Sequence, residues 1–400
     1  MNTIEKTVVV AGHICLDIFP DMTHLPPGQL MKLLQPGHLI LTKGVALCTG
    51  GPVSNTGLSL HLLGVPVHLI ARIGDDPFGW IVRKLVEQYG VQLAQGLRVE
   101  KYSSTSYSII LSAPEVDRIF LHSPGANDEF GMEDIDESWL SQASLFHFGY
   151  PPVMKRMVQN RGEELTKIFR EVKSFGLTTS LDMALPDPQS EGGKVDWREI
   201  LGRLLPYVDI FSPSFEELLF MLHRQEWEEF YRTSSSENIL RIATPERMSL
   251  LGEELVTLGA KIVLLKMGDQ GVYLKTSSNW SPMDFGKVQP VPFDEWQNRE
   301  IRGACFQVNV MGTTGAGDAT IAGFLAAFLR GFSPVDAMNA ALAVGASNVE
   351  AEDALSGIRG WSETLSRIQA GWQRRDLLYP LSGWMALQDG IWEKINQEKN

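Results

Sequence analysis

Two periodicities alternate along most of the chain. Near-continuous apolar runs at 7–14 (TVVVAGHI), 67–74 (VHLIARIG), 144–149, 178–183, 208–212 and 261–267 (KIVLLKM) read as strands buried on both faces. Helical patterns fall between them, at 132–140, 154–175, 197–205, 214–222 and 247–258. Repeated strand–helix units predict a parallel sheet with helices on both faces. Segments 104–111 and 118–122 instead flank Pro114-Glu115-Val116-Asp117 as a hairpin. A hairpin does not fit inside that alternation, so it is assigned to a separate small sheet, with 42–48 as a third strand. Residues 18–40 hold four prolines (Pro20, Pro26, Pro27, Pro36) and read as loop, and the polar stretch 227–241 reads as an insertion. Segment 361–400 carries Trp361, Trp372, Trp384 and Trp392, four of the ten tryptophans, which predicts a packed extension.

Composition narrows the class. The chain of 400 residues is 44% hydrophobic and 21% charged, enough to bury a sizeable core. A net charge of −13 argues against nucleic acid or an anionic membrane as partner. Cys15, Cys48 and Cys305 show no C-x-x-C spacing, which suits a reducing compartment and no zinc site. His13 and Asp17 interrupt the first apolar run before it resembles a signal peptide. No stretch approaches the roughly 20 apolar residues of a spanning helix. The expected location is the cytoplasm.

The chemistry is concentrated at Gly312-Thr313-Thr314-Gly315-Ala316-Gly317-Asp318-Ala319-Thr320. Upstream, 305–310 alternates like a strand; downstream, Ile321, Phe324, Leu325, Phe328 and Leu329 have the spacing of an amphipathic helix. A glycine-rich turn opening a helix gathers backbone N–H groups and the positive end of the helix dipole, which attracts an anion such as phosphate. Asp318 in the first turn repels that anion and suits a base acting on an attacking alcohol; taken alone, it also reads as a helix cap. No Gly-Lys-Ser/Thr follows, so this is not a P-loop, and the third glycine of a dinucleotide fingerprint is missing, which disfavours a dehydrogenase. Asp17 lies just past the first strand, where open sheets bind ligands, and reads equally as a surface turn. Asn55 opens a helix after Gly50-Gly51-Pro52 and by itself reads as capping. His13, His122 and His147 read as structural.

The signature Gly312–Ala319 resembles that of the ribokinase-like (PfkB family) carbohydrate kinases, and the likeness runs over residues 7–360. Their N-terminal signature is matched by Gly50-Gly51, Asn55, Leu63-Gly64, Gly74-Asp75-Asp76 and Gly79. The resemblance implies a three-layer αβα sandwich with a mainly parallel central sheet and a small β-sheet lid. The kinase domain is 1–360, its lid drawn from about 18–49 and 103–124, and 361–400 is an extension packed on it. The implied reaction moves the ATP γ-phosphate to a primary hydroxyl of a sugar-like small molecule. Asp318 is then the general base, and Gly315, Ala316 and Gly317 form an anion hole. Asp17, Gly50, Gly51 and Asn55 hold the sugar. Lys266, Gly268, Gly271, Thr314 and Asn348 meet ATP, and Glu217 acts on Mg²⁺ through water. Three departures stand out: Ser214 where the family commonly has asparagine, Gly312 where many members have an aspartate serving a monovalent cation, and Cys15 and Pro52 where ribokinase has asparagine and lysine. The second weakens the case for potassium, and the third removes ribose as the default substrate. Arg118, in the lid, faces either an anionic substrate group or solvent. The lid's edge strands offer a surface for a homodimer. A non-catalytic metabolite-binding relative and a nucleoside kinase are the alternative readings.

Overall fold

In the computed structural model, which describes residues 6–114, 119–233 and 238–395, the apolar runs become strands. In chain order these are β1 (Val8–Gly12), β2 (Cys15–Pro20), β3 (Val45–Gly50), β4 (Val67–Gly74), β5 (Leu97–Glu100), β6 (Tyr107–Leu111), β7 (Ile119–Ser123), β8 (Leu145–Gly149), β9 (Thr178–Leu181), β10 (Ile210–Phe211), β11 (Ile262–Lys266), β12 (Val272–Thr276), β13 (Glu300–Gly303), β14 (Trp384–Gln388) and β15 (Ile391–Lys394). The main sheet has the order β14-β15-β13-β12-β11-β10-β9-β8-β1-β4-β5. It is parallel from β5 to β11 and antiparallel beyond.

The sheet is buried on both faces, which is why its strands read as apolar runs rather than alternations. Val8, Val10, Ile262 and Leu264 pack with Phe324, Phe328 and Leu342 on one side. Val9, Ala11, Val263 and Leu265 pack with Phe169, Leu201 and Leu251 on the other. Helix, sheet and helix form three layers. The small sheet has the order β3-β2-β6-β7.

Several expectations change. Residues 305–310 form no strand; Phe306 makes one isolated bridge to Arg374, and Val310 and Met311 are exposed. Alternation there meets no neighbouring strand to pair with. Ala316–Leu329 is not amphipathic: Ala322, Gly323, Ala326 and Ala327 are buried along with the large residues, because other helices and the sheet surround it. Asp17 lies within β2 of the small sheet rather than past a core strand's end, so that sheet begins at Cys15. The short helix Leu30–Leu33 interrupts the loop. Region 132–140 divides into the 3-10 turn Met132–Asp134 and the helix Glu137–Gln142. Helix Lys155–Ser174 is broken at Gln159–Gly162, where Asn160, Arg161 and Gly162 turn left-handed. The polar insertion is largely the helix Arg224–Thr233, with Phe230 buried; residues 234–237 lie outside the described residues.

Candidate active site

The strand order reverses direction between β1 and β8: the chain builds outward through β4 and β5 on one side and through β9, β10 and β11 on the other. Open α/β sheets hold ligands beyond the strands' carboxyl ends at such a point. His13 follows β1 here, Tyr150 follows β8, and both line a cleft of about 790 Å³ that the small sheet borders through Cys15, Asp17, Ser108 and His122.

Asp318 lines this cleft and is 2% exposed. It accepts hydrogen bonds from Asn55 Nδ2 (3.0 Å) and the Tyr150 hydroxyl (3.0 Å) at Oδ2, and from Thr56 Oγ1 (3.2 Å) at Oδ1. Burial raises its carboxyl above the ordinary range; Asn55, Lys266, Tyr150 and Thr56 pull it back in that order.

The donors arrive because β3 runs into the helix Pro52–Leu62 through two glycines. A Cβ on Gly50 would stand 2.2 Å from Asp17 Oδ2. On Gly51, at φ 84°, it would stand 2.6 Å from His13 Nδ1. No other residue passes so close, and the first helical turn then carries Asn55 and Thr56 to Asp318. Asp17 is 7% exposed and accepts from the Cys15 thiol at 3.2 Å.

Lys266 ends β11 and pairs with buried Asp182 at 2.5 Å. Burial works against the ammonium, but Asp182 and Glu217 outweigh it and hold Lys266 above its ordinary value. Its Nζ is 3.6 Å from where a Cβ would sit on Gly317, beneath the start of the signature helix. Asp182 Oδ2 is buried with no hydrogen-bond partner among the described residues.

Thr314 and Gly315 line the cleft. Gly315 is left-handed (φ 73°), with Ala354 2.6 Å from a would-be Cβ. Gly312 is packed against the Glu352 carbonyl in the same way, at 2.7 Å, which leaves no room for a side chain. The Ala316 N–H donates to Thr313 O at a long 3.4 Å.

The remaining predicted residues lie elsewhere. Asn348 is fully buried and donates to Ala354 O at 2.7 Å, so it holds the segment packed on Gly312 and Gly315. Gly268 and Gly271 bound the turn after β11. Gly271 (φ 87°) passes Gly303, whose carbonyl is 2.2 Å from a would-be Cβ, and Arg302 pins the turn by donating to the carbonyl of Gln270. Glu217 accepts from Ser214 N–H at 2.6 Å while Ser214 Oγ accepts from Glu217 N–H at 3.2 Å. The serine is thus half of a capping box, an S-x-x-E pattern the sequence already displayed. Arg118 lies outside the described residues.

Sequence reasoning missed Tyr150, Thr56 and Asp182. Only their positions, after β8, beside Asn55 and after β9, signalled them. His13 and His122 line the cleft with ring centroids 5.2 Å apart, and burial lowers both imidazoles, so they face it neutral.

Among the described residues no group of three His, Cys, Asp or Glu side chains forms a metal cluster, and no helix is long and apolar enough to cross a membrane. Comparison with known proteins agrees with this architecture. An ATP-dependent ribose-1-phosphate kinase from Halopiger xanaduensis is 26% identical over 353 residues, covering 87% of this chain and 94% of that protein. A fructokinase with bound ATP from Xylella fastidiosa superposes with a TM-score of 0.66 at 20% identity, covering 92% of this chain and 99% of that one. A ribokinase II from E. coli in complex with ATP and Mg²⁺ gives 0.62 at 22% identity, covering 91% and 99%. Residues 6–359 match the model of the pfkB family carbohydrate kinases. With that match over nearly its whole length and the ribokinase fold, the chain belongs to the PfkB family and is a carbohydrate kinase.

Proposed function

We propose that Asp318 is the general base for transfer of the ATP γ-phosphoryl group to a primary hydroxyl of a sugar, sugar derivative or nucleoside. The observation that carries this is a buried carboxylate, held by three donors, where the signature helix meets the cleft at the sheet's reversal point. Acceptor oxygen attacks phosphorus, the bond to the β-phosphate oxygen breaks, and the hydroxyl proton passes to Asp318. The N–H groups of Gly315, Ala316 and Gly317, with the Lys266 ammonium below them, stabilise the charge on the phosphoryl group. Asp17, Gly50, Gly51 and Asn55 orient the acceptor. The Gly268–Gly271 turn lies along the nucleotide. The small sheet, acting as a lid, excludes water.

ATP and Mg²⁺, bound in the neighbouring structure, fit the residues present: Asp182 Oδ2, buried and unpaired, and Glu217 would hold the ion's waters. Mg²⁺ supplies charge neutralisation on the phosphates. Gly312 offers no side-chain oxygen to a monovalent cation, which weakens the case for potassium.

Asp17, Asp128, Asp187, Glu191, Asp318 and Lys155 are among the described residues that line the cleft, and Lys155 pairs with Glu191 at 3.0 Å. Relatives named as a ribose-1-phosphate kinase, a 2-dehydro-3-deoxygluconokinase and a fructokinase support an acceptor class that spans sugars and sugar derivatives. ADP release with sugars, nucleosides, a sugar acid and a sugar phosphate tests the class, and ADP release with none of them would overturn it. Asp318→Asn should lower kcat roughly 10²–10⁴-fold with ATP affinity unchanged; turnover within a few-fold of wild type would remove the base assignment.

A further inference from the structure

We propose that Tyr150 is the positioning residue of Asp318: its hydroxyl completes the set of donors on Oδ2 and leaves one acceptor direction, on Oδ1, for the substrate hydroxyl. The inference rests on Asp318 being the base. Tyr150 sits at φ 64°, ψ 39°, a left-handed conformation that strains a residue with a Cβ. The surroundings impose it. Gly149 precedes it, packed so that a Cβ would stand 2.3 Å from Pro52 Cβ, and Pro151 and Pro152 follow. The Tyr150 N–H donates to the Asp182 carbonyl at 3.3 Å. This turn swings the ring off the end of β8 into the cleft, beside His13 with centroids 6.2 Å apart, and delivers the hydroxyl to Oδ2 at 3.0 Å.

A carboxylate offers about four lone-pair directions. Asn55 and Tyr150 take both on Oδ2, and Thr56 takes one on Oδ1. The acceptor hydroxyl therefore has one remaining position, and the carboxylate plane is fixed around it. Burial and the charge of Asp318 keep the phenol protonated, so Tyr150 donates and does not act as the base itself. The other charged groups acting on this cluster are Lys266 at the end of β11, Asp182 after β9 and Glu217 in the helix Phe215–Leu222.

Tyr150→Phe keeps the ring and removes the donor. Losing a hydrogen bond to the charged form raises the Asp318 carboxyl, so the acidic limb of kcat/KM against pH moves up by roughly half a unit to one unit. The plateau of kcat falls about tenfold while ATP affinity is unchanged. Tyr150→Gly relieves the left-handed strain and, lacking the same donor, shifts the limb in the same direction. A purely structural role changes melting temperature and leaves the limb in place. An unmoved limb in whichever variant folds overturns the proposal. Asp318→Asn separates the two readings: if it retains turnover, the base assignment fails; if it abolishes turnover while Tyr150→Phe leaves the limb unmoved, only the role of Tyr150 fails.

Discussion

At Asp318 burial and ionisation oppose each other. The native state disfavours the charged carboxylate, so its carboxyl is raised relative to the unfolded chain. Below the ordinary carboxylate value both states are protonated and there is no cost. As pH rises through the raised native value, the buried charge increasingly destabilises the fold. Asp318→Asn, which removes that charge, should therefore raise the melting temperature relative to wild type more at pH 8 than near pH 4. Calorimetry at the two pH values measures this, and a difference that is flat or reversed would contradict it. Asp318 and Asn55 were legible in the sequence because each sits in a short local pattern that needs no partner to be seen. Tyr150 was not, since its bond to Asp318 spans 168 positions and its strained backbone leaves no compositional trace.

Elements were legible where one environment acts along their length. The apolar runs became strands because both faces of the sheet are covered. The signature helix was misjudged because its spacing shows which residues are large, not how many neighbours surround it. Residues 305–310 alternate like a strand but pair only through the isolated bridge of Phe306 with Arg374, too short a match to form a strand. The Gly268–Gly271 turn depends on Arg302, which is 3% exposed and donates at 2.8 Å to the carbonyls of Val272 and Gly303 as well as to Gln270. Burial pulls this guanidinium down to about 9. Arg302→Leu leaves those carbonyls short of donors, at a cost of about 2–4 kcal/mol. We expect a lower melting temperature and a several-fold higher KM for ATP. An unchanged KM would dissociate the turn from nucleotide binding.

Across the whole molecule, the tryptophan-rich extension becomes part of the sheet. β15 pairs with β13, and β14 with β15. Trp372 stacks on Phe306 with centroids 4.4 Å apart, and Arg375 pairs with Asp269 of the turn at 3.1 Å. Ending the chain at residue 360 bares β13 as an edge strand and uncovers Phe306. The truncated protein should melt roughly 10 °C or more lower and aggregate on heating. Light scattering during a thermal ramp checks this; full-length stability after truncation would show the extension to be peripheral.

The sequence by itself determined the alternation of strand and helix and the family signature, and it singled out Asp318 as the candidate base. Each depends on residues close together in the chain, where propensity, glycine geometry and helix-end electrostatics act. Tertiary structure decided what surrounds that base: three donors from two distant segments, an ion pair of Lys266 with Asp182, and a cleft lined by carboxylates. It also decided that Ser214 caps a helix and that Gly312 has no space for a side chain. Those facts arise from close packing between segments far apart in sequence, which no local pattern encodes.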